Sequence, residues 1–357
     1  MLNLIGAFLS RGANLIWFMI ALPVAFGGAA WALKKRYAPR LALTMLFSAA
    51  NLLFSLGLYN SAGFYKKFPL VSPELDIAFR VYEYSAMFLV FAAVGFLLIC
   101  LYDAVYLKDR GFSGRFMFFM GVSLAMINGA LLSDNLGVML FFWEGLLCTL
   151  FGMLLIGNAK KPQAAAKALA LSGTADLLLM LGIIITAYRA GTPYISEMTK
   201  LPVAGVNALG FALMMLGAVG KAGCMPFHSW IPDAADDAPT PFMVAFPAAL
   251  EKFLGIYLAI RVARDIYDLR PGSGMSVAVM TLGTLTILFA VAMALIQKDM
   301  KRLLSYHAVS QVGYMVLGIG TALPVGFIGA LYHMLNNAIY KSCLFMTAGS
   351  VEKQTGT

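Results

Sequence analysis

Charge is scarce in this sequence. Only 12% of its 357 residues are Asp, Glu, Lys or Arg, against about 25% in an ordinary soluble domain, and 61% are hydrophobic. That balance excludes a soluble globular chain and points to a polytopic membrane protein. Cysteine is scarce as well. Cys100, Cys148, Cys224 and Cys343 stand alone in apolar segments, with no CxxC pair and no histidine at ligand spacing, which argues against a zinc site or an iron–sulfur cluster in this chain. They read as small core residues. There is no long polar segment either, since the longest polar loop, 63–83, is too short for a soluble domain. The net charge of +9 is spread over short loops without the clustered patch that nucleic-acid binding needs. A signal-peptide form is also lacking: Arg11 precedes an apolar run long enough to span a bilayer, no small-residue cleavage site ends that run, and the first helix is read as retained.

Present instead are apolar runs of about 20 residues, the length that crosses about 30 Å of hydrocarbon as a helix. They begin near 14, 41, 84, 116, 135, 165, 203, 241, 275, 303 and 324, so the expected architecture is an all-α bundle of about eleven transmembrane helices. Alternate loops carry 13 Lys and Arg on one side, Arg40, Lys160, Lys161 and Lys167 among them, and 8 on the other, including Arg261. The positive-inside rule then puts the richer side in the cytoplasm and the N-terminus outside. In the seventh run Lys221 is followed by Pro226, whose missing N–H and ring clash predict a helix broken there. Broken helices are tolerated in membranes where freed backbone lines a polar site.

A few charges lie where a spanning helix should be apolar. Each costs about 2.5–3.5 kcal/mol at mid-membrane on insertion scales, so each needs a reason. Glu144 is flanked on both sides by apolar or small residues, too far from either interface for so short a chain to reach. Lys221, Glu251 and Lys252 occupy two further runs. Burial disfavours an ammonium and a nearby carboxylate restores it, so a lysine beside a movable carboxylate can take up and release a proton. A swing of about three pKa units is about 4 kcal/mol, more than the roughly 2.3 kcal/mol needed to move one charge through 100 mV. His333, Asn337 and Lys341 follow at i, i+4, i+8 and share one helical face, the pattern of a water-bridged proton wire or of a plain interhelical seam. His307 is a candidate extension of that stripe, and Asp176 a supporting partner for a lysine. His228 lies with Asp233, Asp236 and Asp237 at the end of the broken helix, where solvated loop charge is a better reading than a metal site.

Four stretches carry a resemblance. DNLGVMLFFWEGL (with Glu144), GAVGKAGCMPFHSWIPDAADDAPTP (with Lys221), QKDMKRLLSYHAVSQVGYMVLGIG and HMLNNAIYKSCLFMTAGSVE (with Lys341) resemble, in order, the motifs of the antiporter-like subunits of respiratory complex I, Mrp-type antiporters and energy-converting nickel–iron hydrogenases. The resemblance covers about 115–357. PAALEKFLGIYL looks most like the Ech-type hydrogenase branch, Pro247 stands where one complex I branch has histidine, and Asn337 where histidine is frequent.

The resemblance implies inverted five-helix repeats: helices 1–3 over 1–114, a first repeat over 115–264 with the broken helix, and the start of a second over 265–357. It implies that the second broken helix lies beyond Thr357, as in a truncated subunit or one completed by another chain. It also implies a subunit of a prokaryotic inner-membrane complex that moves protons, or sodium, through Glu144, Lys221, Lys252, His333 and Lys341. Asp176, Glu251, His228, His307 and Asn337 would support that path. Nickel–iron and iron–sulfur centres are expected in partner subunits and none here. The partners would be other membrane subunits and a peripheral redox arm. Two other readings stand beside it: an Mrp-type cation/proton antiporter without redox partner, and a scaffold whose buried charges only lock helices together.

Overall fold

With no water in a bilayer core to satisfy backbone groups, apolar runs of this length must close their hydrogen bonds within a helix, and the computed structural model is mainly helical. It describes residues 12–70, 76–108, 110–157 and 162–356; Arg11, Lys160 and Lys161 lie outside them. The chain divides into two units, Met1–Ile156 and Gly157–Thr357.

The first unit holds α1 (Gly12–Ala32), α2 (Tyr37–Tyr59), α3 (Glu83–Tyr106), α4 (Ser113–Leu132) and α5 (Leu136–Ile156). The 63–83 loop departs from the all-helical expectation. It folds as an antiparallel pair, β1 (Tyr65–Phe68) and β2 (Ile77–Arg80), with Tyr65 opposite Arg80. Outside a helix the backbone still needs partners. Beyond the ladder, the Asp134 amide donates to the Ala78 carbonyl at 2.9 Å, and the Tyr82 hydroxyl donates to the Asp134 carboxylate. Phe79 is buried and meets the Trp17 ring edge-on at 6.0 Å.

The second unit holds α6 (Gln163–Ala190), α7 (Val206–Lys221), the short α8 (Trp230–Asp237), α9 (Thr240–Ile266), α10 (Gly274–Leu295), α11 (Met300–Gly320) and α12 (Pro324–Thr355). A two-residue parallel bridge joins Leu201–Pro202 to Tyr267–Asp268. Among the described residues, eight helices are long and apolar enough to cross a membrane: α1 to α6, α9 and α10. Below that standard, α7 is shorter, and α11 and α12 are long but more polar.

The expected break after α7 is present. Gly223 takes a φ of +87°, a left-handed conformation that ends helices and that a side chain opposes. The Cys224 amide turns back to the Val219 carbonyl at 2.9 Å, and helix resumes only at Trp230. Inside α9, residues Phe246–Leu250 and Val262–Ile266 form π turns. Pro247 lies in the first, where its missing N–H interrupts the α ladder and a wider turn absorbs the gap.

Two readings of single residues change. Cys100 and Cys224 are buried, but Cys148 and Cys343 are exposed, because α5 and α12 turn those positions away from the unit's interior. Arg40 and Arg261, counted as loop charges, are buried helix residues. Arg261 pairs with Asp265 at 3.0 Å and donates to the Tyr257 hydroxyl at 2.9 Å.

Candidate functional site

The buried charges of the second unit begin where α7 stops. Lys221 is the last residue of α7, so its ammonium lies at the negative end of a helix dipole, beside carbonyls without intrahelical partners. It donates to the Asp176 carboxylate of α6 at 2.9 Å, with both side chains essentially inaccessible. Contact this close depends on Gly217, where a Cβ would come within 2.9 Å of the Ala175 carbonyl oxygen. Asp176, expected to act at one remove, is therefore a direct ion-pair partner of the lysine.

From that pair the row continues into α9. Glu251 is buried, and its charge is felt by Lys221, Asp176 and Lys252. One of its carboxylate oxygens, Oε1, has no hydrogen-bond partner among the described residues. Next along α9, Lys252 points to α11 and donates to the Ala308 carbonyl at 2.7 Å. Lys341 of α12 reaches the same helix and donates to the Leu304 carbonyl at 3.3 Å. Those two carbonyls are four residues apart, about 6 Å along the axis, and the two ammonium groups are close enough to repel one another. Three helices thus hold two lysines against adjacent turns of one backbone. A backbone carbonyl has a second lone pair to offer and cannot itself ionise, so it supports an ammonium or a neutral amine's water shell with little structural change.

Beyond Lys341 the polar face of α12 is arranged as its spacing predicts. Asn337 is 1% exposed, and neither its amide nitrogen nor its oxygen has a partner among the described residues, the situation that ordered water relieves in protein interiors. His333 is half-buried at a crevice of about 590 Å³ shared by α11 and α12. Its ring meets Tyr314 edge-on at 5.8 Å. His307 joins the cluster: its ring lies 6.5 Å from Tyr340 and it feels the charges of Lys341, Lys252 and His333. Gln311 and Tyr314, which also line the crevice, were not singled out in the sequence. The signal was available, since His307, Gln311 and Tyr314 follow at i, i+4, i+7 on one face of the helix.

The remaining candidates fall elsewhere. His228 is half-buried in the break and feels the charge of Lys167. Asp233 pairs with Lys167 at 2.6 Å and Asp236 with Arg302 at 2.6 Å, so these carboxylates tie α8 to α6 and α11. Glu144 stands near the middle of α5 in the first unit and is half-buried there. What the structure brings together is Asp176, Lys221, Glu251, Lys252 and Lys341, followed by Asn337, His333 and His307.

Comparison with known proteins shows what the chain is similar to. Residues 133–357 match the family model described as NADH:quinone oxidoreductase/Mrp antiporter, TM. The chain is 35% identical over 272 residues to NADH-quinone oxidoreductase subunit L of Campylobacter jejuni, covering 73% of this chain and 44% of that protein. It is 33% identical over 295 residues to F(420)H(2) dehydrogenase subunit L of Methanosarcina mazei, covering 73% of this chain and 43% of that protein. The chain therefore spans less than half the length of these two relatives. Among solved structures, the Mrp complex from Dietzia sp. DQ12-45-1b contains a similar chain at TM-score 0.83 and 21% identity, covering 96% of this chain and 65% of that one. The match over the whole second unit and the end of the first places the chain in a family: it belongs to the NADH:quinone oxidoreductase/Mrp antiporter transmembrane family.

Proposed function

We propose that this chain is an ion-translocating membrane subunit of an energy-converting oxidoreductase complex, moving protons or sodium while electrons pass through partner subunits. The observation that carries the reading is the buried row Asp176–Lys221–Glu251–Lys252–Lys341, in which carboxylate and ammonium groups alternate up to a facing pair of lysines. Such a row is poor economy for stability alone, because burying charges costs several kcal/mol each and apolar replacements are often as stable. As a relay it has a use. Glu144 would modulate Lys221 in competition with Asp176, loosening or tightening the Asp176 pair and so the hold of Lys221 on its proton. Glu251 would pass the change to Lys252 and Lys341, and water on Asn337 would extend the path to His333 and His307.

On this reading α4 to α9 form the first inverted repeat and α10 to α12 begin a second. The N-terminus faces outward, in a prokaryotic inner membrane. The chain itself holds no redox centre. Nickel–iron and iron–sulfur centres, as in an Ech-type hydrogenase, would sit in a peripheral arm. The relatives named as subunits of an NADH-quinone oxidoreductase and an F(420)H(2) dehydrogenase support a redox-driven complex, while the likeness to an Mrp complex supports a second reading as a cation/proton antiporter subunit.

Metal analysis of the complex that co-purifies with the chain separates them: nickel with iron supports the hydrogenase branch, iron and flavin without nickel a complex I-like module, and no redox centre the antiporter. The relay itself is tested by Lys221→Ala in sealed vesicles. Ion transport is expected to be lost, and transport that stays coupled to electron flow in this variant sinks the mechanism.

A further inference from the structure

The path through Lys221 leaves a buried carboxylate of the first unit unused. Asp103, in the last turn of α3, is 1% exposed, and neither carboxylate oxygen has a hydrogen-bond partner among the described residues. It lines a cavity of about 20 Å³ together with Tyr37, Arg40, Thr44, Cys100 and Ser113, room for about one water molecule. Arg40 is buried and lines the same cavity without pairing with Asp103; its guanidinium donates instead to the Lys34 carbonyl at 3.0 Å. The Tyr37 hydroxyl is also engaged, donating to the Ala104 carbonyl at 2.8 Å and so fastening the start of α2 to the end of α3.

Two residues of the cavity lining, Arg40 and Thr44, begin a polar row. On α2, Arg40, Thr44, Ser48, Asn51 and Ser55 are all buried and recur at helical spacing over about 22 Å. Their hydroxyls do not clamp a neighbouring helix: Thr44 donates to the Arg40 carbonyl and Ser48 to the Thr44 carbonyl, both at 2.8 Å within α2. Their oxygen lone pairs remain available. Ser48 is met from α3 by the Cys100 thiol.

We infer that Asp103 is a second, exchangeable proton-binding site, served through a single water from Thr44, Ser113 and Arg40 and separate from the path through Lys221. The chemistry selects a proton over other ligands. A buried carboxylate without a hydrogen bond is strongly disfavoured, so the neutral acid is the state that burial alone would leave. Arg40 lines the same cavity, and a cation brought up to the carboxylate would favour the opposite state. The groups facing Asp103 are Tyr37 and Arg40 from α2, Cys100 from its own helix and Ser113 from α4, with Lys108 over the Tyr37 ring at 5.5 Å. Two cations nearby disfavour a metal cation in the same space, whereas a proton is admitted. Asp103 is three residues from the end of α3, about 4.5 Å along the axis, which lets it exchange with the adjacent aqueous side.

The test is infrared difference spectroscopy of the intact complex in native membranes, titrated with pH, with isotope-labelled aspartate to identify the band. The expected result is an aspartic-acid C=O band that appears and disappears reversibly, is lost in Asp103→Asn and is kept in Glu251→Gln. Should Asp103→Asn not assemble, Arg40→Gln serves, with a displaced titration midpoint expected and an unmoved one counting against the site. A band that survives Asp103→Asn, or one invariant with pH, overturns the proposal. Displacement of the band by sodium at constant pH and ionic strength, with choline as control, reassigns the site to a metal cation and equally overturns it. Because the readout is the carboxyl group itself, it stands or falls apart from transport through Lys221.

Discussion

Two neighbouring helices of the second unit, α9 and α10, are of similar length and both apolar, yet they are built to opposite rules. Every residue of the most apolar stretch of α9 is buried in the unit, against 28% of that of α10. Glu251, Lys252 and Arg261 belong to α9, along with two π turns. Along α10 there is no charged residue at all, and its threonines at 281, 284 and 286 donate to carbonyls four residues back in their own helix. In this pair charge lies in the helix surrounded by protein, where Lys252 finds a carbonyl and Arg261 a counter-charge, while the helix facing outward satisfies most of its few polar groups within itself.

The largest effect should come from leaving one buried charge without its partner. Lys221→Met removes the ammonium that pairs with the buried Asp176 carboxylate, and breaking a buried pair in this way costs about 3–5 kcal/mol. The double variant Lys221→Met with Asp176→Leu should recover most of that loss. Unfolding of the detergent-solubilised protein, followed as a double-mutant cycle, measures the coupling. Additive losses would mean that α9 and its neighbours tolerate lone charges, which would dissolve the contrast with α10.

Much of this contrast was legible in the sequence, and the illegible part has a common cause. Lys221, Glu251 and Lys252 stand out because nothing near them in the chain explains them, and the His333–Asn337–Lys341 stripe because helical spacing alone puts three polar groups on one face. The break after α7 was visible at Pro226, though the left-handed residue that ends the helix is Gly223. What stayed hidden depends on which helices touch. Asp176 is one carboxylate in an apolar run until α6 and α7 are brought together. The Leu304 and Ala308 carbonyls that receive Lys341 and Lys252 have no signature, since every residue has a carbonyl. Arg40, Asp103 and Arg261 lie near the ends of their runs, where a sequence reading assigns charge to the interface, and only packing shows them buried.

An intermediate effect is expected from transferring a charge to the other helix. Leu288 of α10 is 61% exposed, so Leu288→Lys puts an ammonium near mid-helix with no counter-charge. The insertion free energy of the α10 segment should rise by about 2.5–3.5 kcal/mol, read from the inserted fraction when the segment is tested in a translocon assay. Lys252→Leu, the reverse exchange on α9, should lower the insertion free energy of its segment by a similar amount while removing a group of the relay. Equal insertion of α10 with and without the lysine would show that its outward face is not where the cost of charge is felt.

The smallest effect separates polar groups that are merely tolerated from those that connect helices. Thr281 is exposed on α10 and its hydroxyl donates to the Val277 carbonyl at 2.8 Å, a bond that uses a backbone lone pair already inside the helix and reaches no neighbour. Replacing it with valine keeps the shape and removes one polar atom with its only described partner, so stability should change by less than about 0.5 kcal/mol, as for surface positions in general. Thr286 is one turn and a half further along and buried; besides its own-helix bond it meets the Cys224 thiol at 3.1 Å, in the break after α7. Thr286→Val removes one of the thiol's hydrogen-bond partners in the buried break and leaves it the Met225 backbone, so a loss of about 1 kcal/mol is expected, at the low end for a buried hydrogen bond because a thiol bond is weak. Comparison of the two valine variants by thermal unfolding therefore asks whether α10 acquires the character of α9 at a buried position where it meets the broken helix. Equal, negligible shifts would make α10 outward-facing in energy along its whole length, and a loss at Thr281 as large as at Thr286 would mean that its outer face is covered.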